Sequence, residues 1–347
     1  MSTSSKVLAD IIHASWFPFS DEPLLQGKWY TPSLSHPFVL FPQDSPDDKW
    51  HLFCHSWLGI HHFVSDSGIS WSSVRVIEVG AHYPSIFIED GVYYLVFEKR
   101  GYHIPFIDGR RRQSLKEYHR ESHIEIISST DLSIWSKPRH LISSNDIPCS
   151  NDFMKKGRLS HPYIISTNQG YRLYMGASIT DKKLDIARYT VSAVCVDIVG
   201  SYQMESNNIL IKAEGNDYYR SLASGQLHVH RAENVYRAIQ NAYFFDEKRN
   251  TTSSAILLLE SDDGLTFTSL KKEPILTPTQ SGWASSYILS SSLRYKEDEG
   301  CWYCYFSAAS KMNGPIPMYK ESIGLLIGKD PILRKMYDET DVLYRKD

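Results

Sequence analysis

Three histidines lead three apolar runs of the chain. His36 precedes Pro37-Phe38-Val39-Leu40, His82 precedes Tyr83-Pro84-Ser85-Ile86, and His161 precedes Pro162-Tyr163-Ile164-Ile165. Imidazoles brought to one point can pass protons, hydrogen-bond hydroxyl groups or hold a metal ion. The plainer alternative is that the first residue of each run bonds the backbone of a neighbouring element. His55, with His61 and His62 shortly after it, falls at the end of the return run that follows His36. Glu98 is the strongest acid candidate. It ends the largely apolar run Val92–Phe97, and partial burial there would raise its pKa toward the range of a general acid. Its competing role is an ion pair with Lys99 or Arg100. A second carboxyl would come from Asp185 or Asp152, which stand before later runs.

The elements that must carry these residues are hairpins. His82–Arg100 holds two β-rich arms, Ser85–Ile88 and Val92–Phe97, around Glu89-Asp90-Gly91. Asp-Gly between such arms signals a tight turn, since Asp and Gly tolerate positive φ. Both arms are apolar almost throughout, so both faces must be covered. The same unit recurs. His36–Leu40 is followed by Trp50–His55 and Ile60–Val64, and the opening hairpin by Ile124–Ile127. His161–Ile165 is followed by Tyr171–Met175 and Ala187–Val196, Gln226–Arg231 by Val235–Ile239 and Ile256–Leu259, and Tyr287–Tyr295 by Trp302–Ser307 and Ile323–Ile327. An acidic turn of the form Ser-x-x-Gly/Leu-x-x-Trp/Phe closes three units, at Ser65–Trp71, Ser129–Trp135 and Ser261–Phe267.

Units of three or four short strands, repeating at intervals of roughly 45–80 residues, predict an all-β, five-bladed β-propeller. No single unit covers both faces of its sheet, whereas a ring of five does. A β-sandwich accounts for the strands but not for the recurring turn. The blades fall at about 31–80, 81–145, 155–205, 220–275 and 283–330 within a propeller of 31–335. Residues 1–30 form a lead-in with one weakly helical stretch, Val7–Ala14, that could close the ring, and 336–347 form a tail. Ala242–Thr252 reads as an insertion in the fourth unit, and Gly101–Ser122, with Arg110-Arg111-Arg112, as a charged loop that could cover a pocket.

Composition narrows the class. A net charge of −3 over 347 residues gives no electrostatic case for nucleic acid as the partner. No run is long enough to span a membrane, and the N-terminus lacks the pattern of a secretory leader. The five cysteines are odd in number and scattered. Cys301-x-x-Cys304 lies in a strand-like run that points the two thiols to opposite faces, which suits neither zinc nor redox chemistry. Reduced core thiols in a cytoplasmic protein are expected, with no metal and no cofactor. Nothing in the pattern fixes an oligomeric state.

Hairpins opening with His-Pro or Tyr-Pro, Tyr-Tyr-Leu on the return strand, and the acidic turn leading outward resemble the five-bladed propeller glycosidases. These include the arabinanase/xylosidase, levanase/invertase and mannoside-phosphorylase families. The resemblance covers about residues 30–330. It implies an axial pocket lined by the starts of the inner strands, a carbohydrate ligand or substrate, and a pair of carboxyls for glycoside cleavage. The chain departs from the pattern at the chemistry. His36 stands where Asp precedes the first Pro, Ser85 where Asp follows Pro84, and Leu159-Ser160-His161-Pro162 carries no Glu. Glu98, Asp185 and Asp152 are therefore the replacement candidates for catalysis. His36, His55, His82, His161 and Arg100 are expected to bind substrate, Trp57 and Tyr163 to stack on it, and Gln226, Tyr287 and Arg220 to complete the ring. Three activities fit: a glycosidase on a small glycan, a carbohydrate-binding propeller that has lost its acids, or a phosphorylase or transferase. The last needs Arg100, Arg110 and Arg188 to hold phosphate.

Overall fold

The computed structural model describes residues 5–28, 31, 33–99, 122–146, 157–179, 187–214, 217–311 and 319–329. Two short N-terminal strands, β1 (Ser15–Pro18) and β2 (Leu25–Gln26), precede four four-stranded antiparallel sheets. Blade one is β3 (Ser35–Leu40), β4 (Trp50–His55), β5 (Gly59–Ser65) and β6 (Ser72–Val79). Blade two is β7 (Ala81–Glu89), β8 (Val92–Lys99), β9 (His123–Ser129) and β10 (Arg139–Ser143). Blade three is β11 (Gly157–Thr167), β12 (Gly170–Ile179), β13 (Tyr189–Cys195) and β14 (Gln203–Lys212). Blade four is β15 (Leu227–Ala232), β16 (Val235–Asp246), β17 (Thr251–Ser261) and β18 (Thr268–Ser269). Blade five is β19 (Tyr287–Lys296), β20 (Cys301–Lys311) and β21 (Tyr319–Lys329), completed by β1 and β2, which both pair with β21. The chain is a five-bladed β-propeller.

Each blade is apolar on both faces because each is covered by a blade on either side. Five buried clusters fill the five gaps. Val96, Ile124 and Ile126 of blade two meet Leu159, Leu173 and Met175 of blade three. Corresponding layers join blades three and four, four and five, five and one, and one and two. The one α-helix among the described residues, α1 (Ser5–Asp10), drives Leu8, with Ile11 just beyond it, into the layer between blades four and five. No helix among the described residues is long and apolar enough to cross a membrane.

Local chemistry explains the turns. In the β7–β8 hairpin Glu89 pairs with Val92, leaving Asp90 (φ 49°) and Gly91 (φ 74°) as a two-residue primed turn. The acidic turns share one construction. Ser65 and Ser261 each accept the N–H groups of Gly68 and Gly264 at 2.9 Å, while Asp131 and Asp263 cap the next two backbone N–H groups at 2.7–2.8 Å. Gly68 and Gly264 have φ of 73° and 69°, and a Cβ on Gly68 would lie 2.8 Å from the Tyr305 hydroxyl. Blade two places Leu132 there at φ 58° and buries it.

Two expectations change. Ala242–Thr252 is not an insertion but the lengthened end of the β16–β17 hairpin, paired from Ala242↔Ala255 to Asp246↔Thr251. Alternation explains it, since Ala242, Phe244 and Ala255 face the core and Tyr218 and Tyr219 pack on Phe244. His61 and His62 lie on the third strand of blade one, not at the end of the second. There they bond to Ser56 at 2.7 Å and His51 at 2.8 Å.

Candidate functional site

The inner strands of the first three blades begin with the same irregularity. Pairing slips by one residue between Ser35 and Phe38, between His82 and Ser85, and between Ser160 and Tyr163. Within each bulge one non-glycine residue adopts positive φ immediately before proline: His36 (57°), Tyr83 (55°) and His161 (52°). Proline disfavours helical φ/ψ in the residue before it, and a left-handed non-glycine residue costs on the order of 1–3 kcal/mol. Strain repeated at equivalent places in three blades turns three rings onto one point of the axis. The Tyr83 and His161 centroids are 4.0 Å apart, His36 and Tyr83 4.4 Å, and His36 and His161 5.0 Å.

This register corrects the sequence alignment by one residue. His82 is the counterpart of Ser35 and Ser160, and Tyr83 shares the position of His36 and His161. The X-Pro step, rather than the histidine, marks the place. His82 is still nearby, paired across the strands with Glu98 and edge-on to His55 at 5.0 Å.

The cluster is tightly bonded. His36 Nε2 and His161 Nε2 stand within hydrogen-bond distance at 3.1 Å, and His161 Nδ1 meets Ser160 Oγ at 2.8 Å. His36 Nδ1 is buried with no hydrogen-bond partner. His55 stacks on His36 at 4.8 Å and accepts the Tyr83 backbone N–H at its Nδ1, 3.0 Å away. Burial, reinforced by neighbouring histidines and Arg158, holds His36, His55 and His161 well below the usual imidazole pKa. At neutral pH they are uncharged donors and acceptors, suited to hydroxyl groups.

Glu98, fully buried at the end of β8, does not pair with Lys99, which bonds Glu78 instead. Its two oxygens accept Nε and Nη2 of Arg158 at 2.7 and 2.9 Å, and Arg158 Nη2 also donates to the Tyr83 hydroxyl at 2.8 Å. The carboxylate is thereby tied to the ring cluster through a bidentate fork. Asp152, Asp185 and Arg100 lie outside the described residues, as do Arg110 and most of Gly101–Ser122. Arg188 is exposed and Arg220 is paired with Asp217.

The remaining expected binders spread over the molecule. Gln226 and Tyr163 form a plug across the axis. Tyr163 stacks on His228 at 4.3 Å, and His228 meets the Gln226 amide nitrogen at 2.5 Å. The amide oxygen of Gln226 accepts Ser290 Oγ at 2.6 Å and the Ser291 N–H at 2.9 Å. Trp57 lines a groove between the outer strands of blade one and β2, with Leu25, Phe63 and Trp71, away from the three-ring cluster. Tyr287 packs beside Tyr319 and Tyr243 on a groove between blades four and five. No group of three or more His, Cys, Asp or Glu side chains among the described residues could hold a metal ion.

Sequence reading missed Arg158, His228, Tyr243 and Glu321. Arg158 had a signal, as a cation set two residues before Ser160-His161-Pro162. Tyr243 was hidden in the supposed insertion. Glu321 had none, because β21 begins at Tyr319, four residues before the apolar stretch that announces it. Glu321 is partly buried beside Ser35, where burial pushes its carboxyl above the ordinary range against a hydrogen bond from Ser35. Burial raises the Tyr243 phenol, and Tyr83, Glu321 and Tyr287 add to the rise, so these groups surround one another at the same end of the axis.

No family model and no curated protein matches the sequence. Solved structures do. A glycoside hydrolase aligns with a TM-score of 0.65 at 11% identity, over 94% of this chain and 96% of its own. An N-acetylgalactosamine deacetylase from F. plautii, in complex with blood group B trisaccharide, aligns at 0.61 and 13% identity, over 91% and 95%. A GH43 endo-arabinanase from Bacillus licheniformis aligns at 0.54 and 10%, over 86% and 95%. At such identities the likeness is one of fold: the chain shares the five-bladed propeller architecture of these structures.

Proposed function

We propose that the protein binds a small, neutral glycan or glycoside at the strand-start end of its axis and hydrolyses it. The observation that carries this reading is the convergence of His36, Tyr83 and His161 through three strained X-Pro bulges. Neutral imidazoles and a phenol offer hydroxyl-matching donors and acceptors, and ring faces offer stacking surface. Glu321 is the group we assign as acid, since a carboxyl raised by burial can hold the proton that the leaving oxygen needs. His36, whose Nδ1 has no partner, is the group we assign to receive a proton from attacking water. Glu98 then acts as an anchor, holding Arg158 and through it Tyr83.

A second reading has its own support. Both Glu98 oxygens are occupied by Arg158, as in a propeller that retains a glycan pocket without turnover. One experiment separates the two. Aryl arabino-, xylo-, galacto-, gluco- and fructosides are offered to the wild type and to Glu321→Gln, with and without phosphate. Hydrolysis in the wild type that drops by about 100- to 10,000-fold in the variant supports the acid assignment. Equal turnover in both removes Glu321 from the chemistry. Sugar binding without turnover in either favours the binding propeller, and phosphate-dependent cleavage a phosphorylase.

A further inference from the structure

The plug of Phe38, Tyr163 and His228 divides the axis, with Phe38 6.5 Å from Tyr163 and 6.2 Å from His228. Beyond it, toward the turns of the inner hairpins, lies a cavity of ≈ 580 Å³ walled by all five blades. That volume is in the range of small-molecule sites. We propose that this turn-end chamber is a second ligand site, separate from the three-ring cluster, that takes a neutral polyhydroxylated molecule such as a monosaccharide.

The floor is aromatic, formed by Phe38 and Tyr163, and the rim is polar. One polar atom is unsatisfied: His230 lines the chamber and its Nε2 is buried with no partner. Buried polar groups are normally bonded, so such an atom marks a place where something is to be bound. Burial, then Arg294, lowers the His230 pKa to about 4, which leaves a neutral ring with one donor and one acceptor nitrogen.

The charges at the rim select against an ionic ligand. Arg294 is paired with Asp44. Arg231 spends its N–H groups on the backbone oxygens of Ser166 and Glu233 and on Asn168 Oδ1. Glu89 accepts the Tyr171 hydroxyl. A charged guest would find few unspent counter-charges. A sugar ring would find guanidinium donors and carboxylate acceptors side by side at Arg294 and Asp44, which suits adjacent hydroxyls, over an aromatic floor that suits its C–H face.

The site is tested on the full chain by isothermal titration and saturation-transfer NMR. The probes are D-galactose, D-xylose, L-arabinose and, as an anionic control, inorganic phosphate. Three variants accompany the wild type: Asp44→Asn, His230→Phe and His161→Ala. A neutral sugar should bind saturably, weaken by about tenfold or more in Asp44→Asn and in His230→Phe, and persist in His161→Ala. Asp44→Asn removes an ion pair, so His230→Phe, with its melting temperature checked, carries the test if the first variant is unstable. The proposal fails if sugar binding is lost only in His161→Ala, if no sugar binds, or if phosphate binds in preference. The first of these outcomes would leave the reading of the three-ring end intact, so the two can fail separately.

Discussion

The two ends of the axis are made by the same hairpins and are built in opposite ways. At the strand-start end the backbone is bulged and left-handed in three blades, and the rings it turns inward touch one another. The charge pair of Glu98 with Arg158 there is buried almost completely. At the turn end the inner strands keep regular register, three of them run into two-residue turns, the chamber stays open, and the ion pair of Arg294 and Asp44 is partly exposed on the arginine side. Backbone strain and fully desolvated charge are concentrated where chemistry is assigned, and a partly exposed ion pair beside an open chamber where only binding is assigned. The repeat sets where a side chain can reach the axis, and departures from the regular strand decide what it does there.

Breaking each end's ion pair probes that contrast most strongly. Arg158→Met leaves Glu98 buried without its partner, and urea unfolding should show a loss of about 3–5 kcal/mol. Arg294→Met breaks a pair whose arginine side is partly exposed, and the same measurement should give clearly less. Comparable losses at the two ends would remove the distinction drawn between them. The next effect is acid sensitivity. His36, His55 and His161 titrate in the unfolded chain near 6.5 but are held well below that when folded. The unfolded state therefore takes up more protons as the pH falls below 6.5, and stability present above that value is lost progressively beneath it. Each such histidine contributes a slope of about 1.4 kcal/mol per pH unit. Unfolding midpoints followed from pH 7.5 to 5, with His161→Gln for comparison, should show the slope reduced by nearly one proton in the variant. An unchanged slope would mean that His161 is not held neutral. The smallest effect belongs to the turn end, where Tyr171→Phe removes one partly exposed hydrogen bond to Glu89. It should cost no more than about 1 kcal/mol in the same assay.

How much of this was legible follows from what each feature depends on. The blades could be read because period-2 apolar runs, Asp-Gly turns and the Ser-x-x-Gly/Leu-x-x-Trp/Phe motif are local. Which residues meet on the axis depends on register, and a slip of one residue exchanges the faces. That is why His82 was aligned with His36 and His161 although Tyr83-Pro84 carried the repeated step. Arg158 could not be read as a partner of Glu98, since it comes from the next blade, while Lys99 turns to Glu78. Glu321 was invisible for a related reason. Its neighbour Ser35 stands at the opposite end of the chain, and only closure of the ring brings them together.

That closure has a consequence for how the molecule is made. Ser15 pairs with Lys329 and Pro18 with Leu326, so β1 has its hydrogen-bonding partner in β21, which follows the other four blades in chain order. During synthesis β1 must wait, unpaired, until β21 has emerged, whereas α1 can already pack on β15 and β16 of blade four. A nascent chain stalled short of β21 carries four blades with an open gap on either side. The ring can therefore lock only after translation has passed residue 329, and until then β1 stands without its partner.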